Sequence, residues 1–157
     1  MIDRSRLRTA ILERLQADFE MQVRAALLAR DEATNEESRA EGKYDTRGQE
    51  AAYLAEGQAR AASELQASIA QFRDLVFPAP GDTAAVGHLI TLGAGDKTDL
   101  YLLGPRSGGL EVTLDDLNIL VVTPASPLGR QLLGARIGTM VTLPGRPPRV
   151  LAVTHIA

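Results

Sequence analysis

Cysteine is absent from this 157-residue chain, so disulfides and thiolate metal sites are excluded. There are only two histidines, His88 and His155, far apart in sequence, and a histidine-based zinc site is not expected. Tryptophan is missing and aromatic residues make up 4% of the chain, which argues against a surface that stacks bases. The formal net charge is -3, so the chain is not a globally basic nucleic-acid binder. No apolar run approaches the roughly 20 residues that a membrane-spanning helix needs. Met1-Ile-Asp-Arg-Ser-Arg6 runs straight into charged helical sequence without an apolar signal core, and a cytoplasmic location with no membrane partner is expected.

Proline is missing from the first 77 residues, and eleven of the fourteen glycines lie at Gly81 or later. The first half is therefore permissive for long helices and the second is rich in turns. Leu7, Ile11, Leu15, Phe19, Val23 and Leu27 recur every four residues, and a second stripe runs through Leu54, Ala61, Leu65, Ile69, Phe72 and Val76. Between them the apolar pattern vanishes from Asp31 to Gln49. The spacing predicts an antiparallel α-helical coiled-coil hairpin over 1–77, with its tip at about 31–49. At about 1.5 Å per residue such an arm is roughly 40 Å long. Pro78-Ala-Pro-Gly81 reads as the start of a linker over 78–82.

The remaining residues, 83–157, alternate like strands in five runs: 86–92, 99–103, 118–123, 139–143 and 149–156. One stretch differs. In Ser126-Pro-Leu-Gly-Arg-Gln-Leu-Leu-Gly134, Ser126 is a good N-cap and Pro127 suits the first helical position. Leu128, Leu132 and Leu133 are expected on one core-facing side, and Gly134 can end the turn in the left-handed region. The fold class is therefore α+β: a helical hairpin, then a small, mostly antiparallel sheet with one short helix.

Candidate sites are few. Residues 31–50 carry Asp31, Glu32, Glu36, Glu37, Glu41, Asp45 and Glu50 against Arg39, Lys43 and Arg47. A solvated turn is one reading. The other is a rod end that presents one or two carboxylates to a hard cation such as Mg²⁺, held mostly by another protein. His88 and His155 read as structural or surface histidines. Arg4, Arg6, Arg8 and Arg14 cluster on the first helix, either as a solvated face or as a contact for RNA or an acidic partner.

The 126–134 segment closely resembles the end of the bacterial transcript-cleavage (Gre) factors, which carry a Ser-Pro-x-x-Arg-x-Leu-x-Gly helix followed by a Pro-Gly turn, here Pro144-Gly145. Ser126, Pro127, Arg130 and Gly134 match that wording, and a packing role is expected for them and for Leu133. Glu50-Ala-Ala-Tyr53 resembles the Asn-Ala-Glu-Tyr that opens the family's second helix. The resemblance implies an FKBP-like C-terminal domain and binding to bacterial RNA polymerase. In that family the sheet domain docks at the mouth of the secondary channel and the coiled coil enters it. Two tip acids then help hold the second catalytic Mg²⁺, so that the polymerase hydrolyses the 3′ end of backtracked RNA. Such a factor is not itself an enzyme, binds no cofactor stably and meets the nascent RNA only indirectly.

The family's Asp-x-x-Glu pair falls on Thr46 and Gln49 here, and neither is acidic. Asp45 and Glu50, each one residue away, are the expected metal-facing pair, with Glu41 in reserve. The alternative is a channel-binding inhibitor without cleavage activity. A third reading is an unrelated coiled-coil interaction module. Prolyl isomerase activity is disfavoured, because the C-terminal half offers Tyr101 as its sole aromatic.

Overall fold

The computed structural model describes residues 2–34 and 47–157. These divide into two compact units, one of Met1–Leu12 with Ala70–Ala157 and one of Glu13–Ile69.

Helix α1 spans Arg4–Thr34 and α2 spans Arg47–Asp74. Asp3 caps α1: its carboxylate accepts the Ser5 N–H at 2.8 Å and the Arg6 N–H at 3.3 Å, satisfying two donors that have no partner within the helix. Among the described residues of α1 the buried apolar ones are Leu7, Ile11, Leu15 and Ala29. The four-residue stripe does not stay on that face. Each step of four turns about 40° past a full rotation, so Leu27 lies about 200° round the helix from Leu7. Leu27 is accordingly exposed, while Ala29, about 40° from Leu7, is buried. In the Glu13–Ile69 unit, Ala62 and Ile69 of α2 are buried with Leu15 and Ala29 of α1.

The other unit holds a six-stranded sheet of β1 (Leu89–Ala94), β2 (Lys97–Leu103), β3 (Glu111–Leu114), β4 (Leu117–Val122), β5 (Met140–Leu143) and β6 (Arg149–Ile156). Their order is β3-β4-β2-β1-β6-β5. Every neighbouring pair is antiparallel except β2–β4, which is parallel. Strand β3 lies in a stretch that the alternation analysis leaves unassigned. It pairs with β4 through a two-residue turn in which Asp115 and Asp116 both have positive φ, the geometry that a tight hairpin requires. The short helix α3 (Pro127–Leu132) contributes Leu132 to an aliphatic core with Ile90, Leu92, Leu103, Val141, Leu151 and Val153.

His88 is 4% exposed and ties the 78–86 segment to the sheet. Its Nδ1 accepts the Ala85 N–H at 2.9 Å, so Nε2 carries the proton and donates to the Ala79 carbonyl at 3.0 Å. Both ring nitrogens are thus satisfied inside the fold, and the histidine is structural.

Candidate functional site

Helix α3 is built by its own sequence. Ser126 has extended dihedrals, φ -72° and ψ 156°, and its Oγ accepts the Gly129 N–H at 3.0 Å. The same hydroxyl donates to the Thr123 carbonyl at 2.8 Å. Pro127 takes the first helical position, where a missing N–H costs nothing. Gly129 is required by contact: a Cβ there would stand 1.7 Å from the Thr123 carbonyl oxygen. The chain leaves the helix at Gly134, whose φ of +79° is the left-handed value that glycine accepts readily. The Gly134 N–H then donates to the Ala84 carbonyl at 2.8 Å.

This geometry splits the motif into an inner and an outer set. Ser126, Gly129 and Leu132 hold the helix to the domain. Pro127, Arg130, Leu133 and Gly134 are exposed. The core position expected for Leu133 is therefore corrected: it is 49% exposed. The helix ends at Leu132, and Leu133 is an extended C-cap, so it no longer follows the face of Leu128 and Leu132. Beyond it, Arg136, Ile137 and Met140 are also exposed, Ile137 at 55% and Met140 at 61%. The exposed residues from Arg130 to Met140 thus include three apolar side chains, Leu133, Ile137 and Met140, and two arginines, Arg130 and Arg136. Periodicity had no means of finding Ile137 and Met140, because exposure of an isolated apolar residue leaves no pattern in sequence.

The acids are placed unevenly. Glu50 lies in the first turn of α2 and is exposed, where the helix dipole favours a carboxylate. Gln49, beside it, is exposed as well, and Asp31 and Glu32 lie exposed in the last turn of α1. Asp45, Glu41, Glu36, Glu37 and Thr46 lie outside the described residues. Among the described residues no group of three or more histidine, aspartate or glutamate side chains could hold a metal ion.

Three of the four clustered arginines are engaged. Arg6 makes a bidentate pair with Asp115 at 2.7 and 2.8 Å. These hydrogen bonds and the carboxylate charge hold its pKa above the ordinary arginine value. Arg8 donates to the Leu75 carbonyl and lies over the Phe77 ring, 5.1 Å from its centroid. Arg14 pairs with Asp18 at 3.3 Å, one helical turn on. Arg4 borders an open groove of about 930 Å³ on the sheet unit, with Leu89, Thr91, Leu100, Ile119 and His155 along it. His155 is exposed. At the same groove, burial raises the Tyr101 pKa, Asp99 raises it further, and Arg149 partly offsets both. The Arg6–Asp115 pair has a partial sequence signal, the Asp115-Asp116 turn, but nothing local names its partner 109 residues away.

No model of a known protein family matches this sequence, and no curated protein matches it. Among solved structures the chain is similar to the crystal structure of GreA factor homolog 1 (Gfh1) of Thermus thermophilus, with 20% identity, a TM-score of 0.37, and coverage of 93% of this chain and 94% of that one. It is similar to a second structure described as the transcription factor Gfh1, with 21% identity, a TM-score of 0.39, and coverage of 94% and 93%. A third, Gfh1 of Thermus aquaticus, has 20% identity, a TM-score of 0.38, and coverage of 92% of both chains.

Proposed function

We propose that this chain is a transcription elongation regulator that binds bacterial RNA polymerase at the secondary channel. One observation carries the reading. The segment that resembles the Gre-factor motif folds as a self-capped helix whose Arg130 and Leu133 face outward, in a chain that also holds two helices of 31 and 28 residues. The outward residues of the segment, with Ile137 after them, combine exposed apolar side chains and arginine, the composition that a protein partner recognises. In this reading the sheet unit docks at the channel mouth and the helix pair enters as a coiled coil. Its tip acids, Asp45 and Glu50, reach the active centre.

There they would help the polymerase hold a second Mg²⁺. Asp45 and Glu50 would be the residues of this chain that hold the ion, whose chemistry when bound would be to activate water and stabilise the leaving oxygen in cleavage of the backtracked RNA 3′ end. The polymerase supplies the remaining ligands, consistent with Mg²⁺ keeping few protein carboxylates of any one source. The chain itself is then no enzyme and binds no metal stably.

A second reading, channel binding that inhibits without cleavage, is favoured by one feature: Thr46 and Gln49 stand where the family's acid pair is expected. RNA cleavage in a stalled, backtracked complex with Mg²⁺ separates the two, using the protein and its Asp45→Ala and Glu50→Ala variants. Shortening of the RNA that depends on both acids supports the cleavage factor. Slowed nucleotide addition without shortening identifies the inhibitor, and no effect on the polymerase overturns both.

A further inference from the structure

Within the unit of Met1–Leu12 and Ala70–Ala157, the start of α1 and the end of α2 border one open pocket of about 470 Å³. Arg4 and Arg8 line it from the first turns of α1, and Arg73 from the last turn of α2. Asp74 is the one acid along its wall. Neither Arg4 nor Arg73 has an ion pair among the described residues. Arg8 is fixed in place, donating to the Leu75 carbonyl and lying over the Phe77 ring. Its Nε–H is buried, with no hydrogen-bond partner among the described residues. An unpaired, buried donor on a charged group is costly, and such an atom in a folded chain calls for an explanation. The backbone does not make this site. Asp3 already accepts the Ser5 and Arg6 N–H groups at the start of α1, and the partial charges of a helix start and a helix end are opposite in sign. Side chains therefore set the sign of the pocket: three arginines against one aspartate, an excess of two positive charges.

We propose that the pocket of Arg4, Arg8 and Arg73 binds a phosphate monoester dianion. Charge selects the ligand. A phosphate monoester carries about −1.5 to −2 charges at pH 7, which matches the excess, whereas a carboxylate or a phosphodiester carries a single one. Its three terminal oxygens equal the three guanidinium groups in number, and arginine suits two-point recognition of phosphate. Arg8, already held by Leu75 and Phe77, gives up little freedom when a ligand binds. The volume lies within the roughly 300–1,000 Å³ of small-ligand sites, so it admits a phosphate with a small organic group. Val76, 76% exposed, and Phe77 offer that group apolar contact in the same pocket. This site does not depend on polymerase binding.

The test is titration of the full chain at about pH 7 and constant ionic strength, followed by NMR of the arginine Nε–H groups. Three ligands are compared: phenyl phosphate, inorganic phosphate and dimethyl phosphate. The first two are expected to bind and to shift the Arg8 Nε–H signal. Dimethyl phosphate, a phosphodiester with one charge, should bind about tenfold or more weakly. The tighter of the first two tells whether the phosphate belongs to an organic molecule or is free. Arg4→Ala and Arg73→Ala remove side chains that make no ion pair in the fold, and each should weaken phenyl phosphate binding about tenfold. Arg136→Ala, outside the pocket, should bind as the wild type does. Circular dichroism checks that each variant is folded, and if one of the pocket variants is not, the other carries the comparison. Equal binding of dimethyl and phenyl phosphate overturns the proposal. So does binding that survives Arg4→Ala and Arg73→Ala undiminished, an Arg8 signal that does not move, or no binding of any of the three.

Discussion

A Cβ built on Gly129 would lie 1.7 Å from the carbonyl oxygen of Thr123, so helix α3 can sit against the end of β4 with no side chain at that position. The obstruction is backbone, which cannot swing aside. Gly129→Ala is expected to shift the helix and lower stability by about 1–3 kcal/mol or more, read from urea unfolding with an unchanged m-value. A variant as stable as the wild type would mean that the helix is not held this closely.

Ser126 contributes two bonds to the same junction, one accepted from Gly129 and one donated to Thr123. Ser126→Ala should cost about 1–2 kcal/mol, near the upper range for a lost N-cap. Ser126→Asp keeps the acceptor and loses the donor, and should recover part of the loss. Equal stability of all three proteins would contradict the capping role.

Leu132 and Leu133 are adjacent and opposite in environment, one fully buried and one 49% exposed. Leu132→Ala is expected to cost about 2–5 kcal/mol through lost contacts and a cavity. Leu133→Ala should stay within about 0.5 kcal/mol of the wild type. If the proposed docking patch is right, Leu133→Asp should weaken polymerase binding while leaving the melting temperature nearly unchanged.

Removing the His88 ring leaves the Ala85 N–H and the Ala79 carbonyl without their partner. His88→Ala should lower stability by about 1–3 kcal/mol, with faster amide exchange at Ala85. Unaltered exchange there would show that the segment is held by other contacts.

Tyr101 ionises above the ordinary tyrosine range because burial and Asp99 both disfavour the phenolate. Below about pH 10 the phenol is neutral in the folded and unfolded chain alike, and it does not alter stability. As pH climbs through that value the unfolded chain loses the proton first, so stability falls with rising pH. Tyr101→Phe should remove that part of the alkaline decline, and ultraviolet titration should lose an ionisation above the ordinary tyrosine range.

Much of this was legible in the chain. Five runs of alternation lie on five of the six strands, and the Ser126-Pro127 signal identifies α3 to within a residue, because caps and strand periodicity are local. Strand β3 escaped because it is only four residues long and the Asp115-Asp116 turn that follows it lacks the glycine that usually marks such a turn. Leu133 was misplaced because helical phase was extended one residue past the helix. Leu27 fell off the buried face because a strict four-residue repeat outruns the helix. The Gln131–Thr142 and Arg6–Asp115 contacts join residues that only the fold brings together, so nothing in local sequence names the partner of either.

The proposed function turns on where residues near Asp45 go when the chain is bound. The most direct measurement is crosslinking from a photoreactive amino acid at position 45, with core RNA polymerase. Adducts with polymerase residues beside the catalytic Mg²⁺ are the predicted result. Adducts confined to the outer surface of the polymerase, or none at all under conditions where the chain binds, would contradict it.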